Sequence, residues 1–150
     1  MSEPKPITGK TKHTELTIDQ IAGMQPGLAK LMEEISYQFW IVYYAGRGGN
    51  WDLAAHKLKQ VKNLFKQGST MRPQMAKMLD DYVEECLTPL ETHIAAKDFA
   101  KFDETYQRGI VRANEYHVVT GHTEVKWKLP PSPPQHLDLA PQPPRPKKQT

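Results

Sequence analysis

The chain has 150 residues, 38% of them hydrophobic, which is enough for one core in one domain. Its 20 basic and 17 acidic residues leave a formal charge of +3, too balanced for the basic stripe of a nucleic-acid binder. A single cysteine, Cys86, excludes an intramolecular disulfide and a cysteine-based zinc site. No apolar run approaches the roughly 18 residues of a membrane span, and "MSEPKPITGKTKHTEL" has no apolar signal region, so the expected location is cytoplasmic.

Residues 1–24 are polar and carry Pro4, Pro6 and Gly9. They are expected to form an extended arm, with room for a short turn of helix in "LTIDQIAGM". Residues 25–122 then show four segments of helical period. The first runs from about Pro26 to Ala45, proline being suited to a first turn. Leu28, Leu31, Met32, Ile35, Phe39 and Val42 recur at steps of three and four, and Tyr37, Trp40, Tyr43 and Tyr44 widen that surface. "GRGGN" stops it.

Asn50 is the expected cap of the second segment, whose stripe is Leu53, Ala54, Leu58, Val61, Leu64 and Phe65. "QGST" should end it, with Ser69 or Thr70 capping the third. Pro89 lies inside the third and should bend it, because its ring removes a backbone bond and crowds the preceding turn. Asp98 should cap the fourth, in which Phe99, Phe102, Tyr106, Ile110, Ala113 and His117 share one line and Gly121 is the stop. Short connections force neighbouring helices to be antiparallel. The expected fold is all-α, an up-down-up-down antiparallel four-helix bundle with an N-terminal arm and a proline-rich tail.

The tail, residues 123–150, has eight prolines in its last 22 residues and should be extended polyproline II or disordered. "LPPSPP" can lie along the bundle first, and "PQPPRP" can dock in an aromatic groove of a partner. Lys147 and Lys148 read as a solubilising end.

His117 is singled out because it stands on the apolar line, where spacing from Ile110 and Ala113 points it into the bundle. A neutral imidazole there can ligate a metal or haem iron, or donate to a carbonyl. No His-x-x-x-His pair occurs, and the paired Glu-x-x-His pattern of di-iron bundles is missing. A divalent metal at His117, helped by His122 or His93, would need three or more converging ligands.

"QFWIVYYAGRGGNWDLAAHKL", "IAAKDFAKF" and "ANEYHVVTGHTEVKWKLPPSPP" together carry a resemblance. Residues 15–140 look like small bacterial cytochromes of the cytochrome c′ type, which are four-helix bundles. That family ends its last helix in Cys-x-x-Cys-His. Here Ala113 and Tyr116 stand at the cysteine positions, and only the iron-ligating histidine is kept, as His117. Without a thiol at either place no covalent haem can form.

The resemblance therefore implies two alternatives. In one, the bundle has lost haem and serves as an accessory or interaction module for a protein partner, its core filled by Tyr116, Phe102 and Tyr106. The partner surface would be the basic tail or an exposed aromatic patch around Trp51 and Trp127, and the first helix would form a homodimer. In the other, the bundle holds haem b without covalent bonds for electron transfer or gas sensing. His117 would be the axial ligand and Met32, or else Met24, the second, beside Ala113 and Tyr116. Whether Tyr116 turns inward, into the space of a porphyrin, or outward separates the two.

An enzymatic reading is weaker. "AGRGGN" follows a helix and is a turn rather than a phosphate loop. The carboxylate pairs Glu33–Glu34, Glu84–Glu85 and Asp80–Asp81 are adjacent on helices, so their side chains diverge by about a hundred degrees and cannot act as acid–base dyads.

Overall fold

The computed structural model describes residues 2–144 and 146; the Lys147–Lys148 pair and Arg145 of "PQPPRP" lie outside the described residues. The chain is mostly helical, with one small sheet. Strands β1 (Thr8–Lys10) and β2 (Glu15–Thr17) pair antiparallel, Gly9 opposite Leu16. Helix α1 (Ile18–Gly23) follows at once. The Thr17 hydroxyl accepts from Gln20 N–H at 3.1 Å, and the Gln20 side chain accepts from Thr17 N–H at 2.9 Å, a complete capping box. The first 24 residues thus hold the short helix for which "LTIDQIAGM" left room, and a hairpin where an extended arm was expected. Strands of three residues are too short to announce themselves by period.

Helix α2 (Leu28–Arg47) carries the first apolar stripe and stops where Gly49 takes a φ of +79°. Asn50 caps α3 (Trp51–Met71), its side-chain oxygen accepting from Leu53 N–H at 3.2 Å. The expected boundary at Ser69 or Thr70 is not the real one: both lie inside α3. The Thr70 hydroxyl bonds back to the Lys66 carbonyl at 3.1 Å, and Ser69 reaches Asp80 at 2.8 Å. Pro73 sets the boundary, because the residue before a proline is pushed out of helical geometry. Arg72 accordingly has φ −130° and ψ 75°.

After a 3-10 turn at Pro73–Met75, helix α4 (Ala76–Tyr82) leads through one π turn, Val83–Leu87, into α5 (Thr88–Ala95). Pro89, where a bend was expected, follows just after that turn. Thr88 N–H bonds to the Val83 carbonyl, five residues back, which accommodates a ring that can donate nothing. Asp98 caps α6 (Phe99–Val119) by accepting from Lys101 N–H at 3.1 Å.

Helix α2 packs on α3, α3 on α4 and α5, and α6 against α2, α5 and the π turn. Ile41, Val42, Leu58, Val61, Leu87, Leu90, Phe102 and Tyr106 are shut off from water, each side chain adding about 1.5–3 kcal/mol. Ring pairs mark the α2–α6 seam. Tyr43 faces Phe102 at 6.2 Å, and Phe39 stacks on Tyr106 at 4.2 Å. Positions fall along α2 as they rise along α6, so these two helices run antiparallel.

At one end of the seam α2 comes so close that only glycine fits. A Cβ on Gly46 would lie 2.9 Å from two ring atoms of Phe102 and 3.3 Å from the Trp51 indole. Phe102 is wholly enclosed and has nowhere to retreat. Gly46→Ala is therefore expected to cost about 1–3 kcal/mol, despite alanine's better helix propensity. Urea unfolding should show a lower midpoint at unchanged slope, and an unchanged or higher midpoint would contradict this packing.

Candidate functional site

The residues singled out in sequence gather at the C-terminal end of α6. His117 is half-exposed there, and its Nδ1 lies 2.8 Å from the Val125 carbonyl. A carbonyl can only accept, so Nδ1 carries the proton and Nε2 is the nitrogen left over. The ring thus faces the segment leaving the helix and is not among the buried core residues.

Tyr116 is half-buried, with its ring edge-on to Tyr82 at 6.3 Å. The Arg112 guanidinium lies over the other side, 4.4 Å from the ring centre, and donates to the Tyr116 hydroxyl at 3.2 Å. Arg112 is itself bonded to Glu85 at 2.9 Å and Glu115 at 3.0 Å, which keeps it charged. Tyr116 therefore packs sideways toward the π turn. Ala113, one turn back on α6, and Met32, on α2, both rest partly buried against the core. Because α2 and α6 are antiparallel, Met32 and His117 lie at the same end of the molecule.

Between these two helices sits a residue that no period announced. Trp127 lies over the Phe39–Tyr106 pair, at 5.6 Å and 6.2 Å from the two rings. Its indole N–H donates to the Ser36 hydroxyl. Its main chain is held on both sides by Asn114. Asn114 Nδ2 donates to the Trp127 carbonyl at 2.9 Å, and Asn114 Oδ1 accepts from Trp127 N–H at 2.8 Å. Below the indole, Tyr106 is fully enclosed and donates to the Phe39 carbonyl at 2.7 Å. These residues do not fit a porphyrin: the plane it would need between α2 and α6 is filled by packed rings. Nor do the histidines assemble a metal site. Among the described residues no three His, Cys, Asp or Glu side chains converge, and His122 pairs instead with Glu124 at 3.4 Å.

The patch expected around Trp51 and Trp127 is not a patch. Trp51 is half-buried, edge-on to Phe102 at 5.6 Å, and Trp127 is half-buried against Phe39 and Tyr106.

Beyond Trp127 the chain runs back over α2. Tyr44 donates to the Pro130 carbonyl at 2.6 Å, and Trp40 Nε1 to the Ser132 carbonyl at 2.9 Å. The Tyr37 hydroxyl lies 2.6 Å from His136 Nε2, the two rings nearly parallel. The strap then doubles back. Asn50 Nδ2 donates to the carbonyls of Leu139 at 3.2 Å and Ala140 at 3.1 Å. Pro134 and Leu139 are its buried anchors. "LPPSPP" does lie along the helices, and the aromatic groove it fills belongs to its own chain. In sequence, the signal was Tyr37, Trp40 and Tyr44 at steps of three and four on a helix whose core line runs elsewhere.

Open depressions flank this strap beside Arg47 and Asp138, and α3 beside Lys62, Lys66 and Glu84. Lys62 is already paired with Glu91 at 2.5 Å. No protein-family model, curated protein or solved structure matches the chain.

Burial raises the pKa of several acids here. The Tyr82 and Tyr106 hydroxyls are both pushed up by enclosure, and the Cys86 thiol to about 11, by burial first and Glu85 second. Two expectations follow. A raised pKa means that the folded state holds its proton more tightly than the unfolded one. The resulting stability is complete below the ordinary thiol value of 9.0 and drains away as pH climbs toward 11. Thermal unfolding midpoints should fall through that window, less steeply in Cys86→Ala; a flat profile would refute the linkage.

Asn114→Ala strands the main-chain N–H and carbonyl of Trp127, at a cost of about 1–3 kcal/mol. Trypsin should then cut after Lys126 and Lys128 about tenfold faster or more. Unaltered cleavage would mean that Asn114 does not hold the indole in place.

Proposed function

We propose that this chain is an antiparallel four-helix bundle of the cytochrome c′ type, connected up-down-up-down, that has given up haem and serves as a non-enzymatic interaction or accessory module. The observation that carries this reading is Trp127 seated on the Phe39–Tyr106 pair, where α2 and α6 would have to part for a porphyrin. Ala113 and Tyr116 in place of the two thiols point the same way. So does the interior, whose buried hydroxyls on Tyr82 and Tyr106 are already satisfied by main-chain carbonyls. A core filled and hydrogen-bonded in this way is stable without a cofactor. The module's place is the cytoplasm, and it works on a protein partner, either as a monomer or as a homodimer through α2.

One observation favours the second reading, a haem b protein with His117 as axial ligand. Metal-bound imidazoles commonly give their other N–H to a backbone carbonyl, and His117 does so with Val125. In that reading the strap carrying Trp127 would have to lift away, with Met32 closing the far side.

Hemin titration decides between the two. The purified chain should give no sharpened Soret band, and His117→Ala should be indistinguishable from it. A tight, saturable band that His117→Ala abolishes would replace the first reading with the second.

A further inference from the structure

We infer that the Tyr37–Trp40–Tyr44 face of α2 is a recognition groove for proline-rich segments, that residues 129–140 occupy it in cis, and that the module's partner presents such a segment in trans. The inference rests on the reading of this chain as an interaction module and names the chemistry of its partner.

The argument starts from what a proline-rich stretch can offer. Proline has no N–H, so such a stretch keeps its carbonyls free, projecting from an extended backbone that is already stiff. The natural reader is a row of flat rings bearing N–H or O–H donors. Helix α2 supplies that row. Trp40 and Tyr44 each donate to one main-chain carbonyl, of Ser132 and Pro130, and Asn50 at the helix turn donates to two more. Apart from the Tyr37–His136 contact, these bonds address the main chain alone, so they do not depend on which residues lie between the prolines.

The occupant is held lightly enough to exchange. From Pro131 to Ala140 only Pro134 and Leu139 are buried. Leu139 reaches the edge of the core and Leu129 packs against it, but the seat of the indole does not depend on them. Trp127 is fixed independently by Asn114 and Ser36, so residues 129–140 can leave while the indole still covers Phe39 and Tyr106. Release therefore uncovers the donors and the edge of the core at Leu139, while the stack under the indole stays covered. A tethered ligand of this kind competes at an effective concentration of order millimolar, which sets how strongly a partner must bind.

The test uses the full chain and a fluorescein-labelled peptide with the sequence of residues 129–140, read by anisotropy. The wild-type chain should bind the peptide weakly, because its own tail competes. Pro134→Ala and Leu139→Asp, each removing one anchor of the strap, should strengthen peptide binding about tenfold or more. Adding Tyr44→Phe, which keeps the ring, or Trp40→Phe, which keeps an aromatic ring of smaller size, removes a donor and should reverse that gain. A peptide with its prolines replaced by alanine should not compete. Equal peptide binding in wild type and in both loosened variants, or binding indifferent to Trp40→Phe and Tyr44→Phe, would overturn the inference and leave the strap a purely structural element. Circular dichroism on each variant verifies the fold, and having two loosened variants keeps the test decisive if one unfolds. The hemin titration is read separately: a Soret band would remove the haem-free reading, whereas failed peptide exchange without a band removes only the groove.

Discussion

Two phenol groups cut off from water set the arrangement on which the rest depends. Tyr106 on α6 donates to the Phe39 carbonyl of α2 at 2.7 Å, and Tyr82 on α4 donates to the Gly109 carbonyl of α6 at 2.9 Å. A buried hydroxyl without a partner is costly, on the order of 1–3 kcal/mol in proteins. Each therefore fixes the height and rotation of one helix against its neighbour. Gly109 permits the second contact, since a Cβ there would crowd the Tyr82 oxygen at 3.3 Å. The rings then stack where the hydroxyls place them, Phe39 on Tyr106 and Phe65 on Tyr82. Burial also drives both pKa values upward, so the two groups remain donors through the neutral range.

That platform explains why a segment without regular structure is part of the fold. Backbone that forms neither helix nor sheet must still pair its polar groups. From Trp127 to Ala140 Leu137 N–H returns to the Pro134 carbonyl, and the other partners are side chains: Asn114 for the Trp127 main chain, then Tyr44, Trp40 and Asn50 for a series of carbonyls. Proline suits this duty because it demands no acceptor for an N–H. Aromatic donors suit it because one side chain offers both apolar ring surface and a polar edge that reaches the main chain. The outer face of α2 is therefore amphipathic in a second sense, with one line for the core and another for the strap.

Local physics wrote much of this into the sequence. The apolar period located α2, α3 and α6, and the short polar side chains Asn50 and Asp98 cap the helices they precede. Other features were concealed by competing local chemistry. Ser69 and Thr70 resembled a cap, but a hydroxyl that bonds one turn back is tolerated inside a helix, and Pro73 was the stronger signal. The strap was out of reach for a different reason: its contacts join residues about ninety positions apart, Trp40 with Ser132 and Trp127 with Ser36, and no spacing within a window registers them. His117 fell between the two cases. Its place on the apolar line was legible, but at the last turn of α6 that line runs past the end of the core.

What the imidazole does there follows from its bond. After α6 the chain reverses through Gly121 at φ +80°, with His122 N–H returning to the His117 carbonyl at 2.8 Å and Val125 N–H to the His122 carbonyl at 3.0 Å. The His117 side chain closes the same reversal from outside by donating to the Val125 carbonyl. Two residues later comes Trp127. A small error in the direction of this turn would carry the indole away from Asn114 and Ser36, so the histidine acts as a strut that aims the strap. The bond that fixes the imidazole leads the chain toward the tryptophan that covers Phe39 and Tyr106. A histidine that reads as a ligand in sequence can thus be accounted for by the fold, because the turn it closes has to point somewhere.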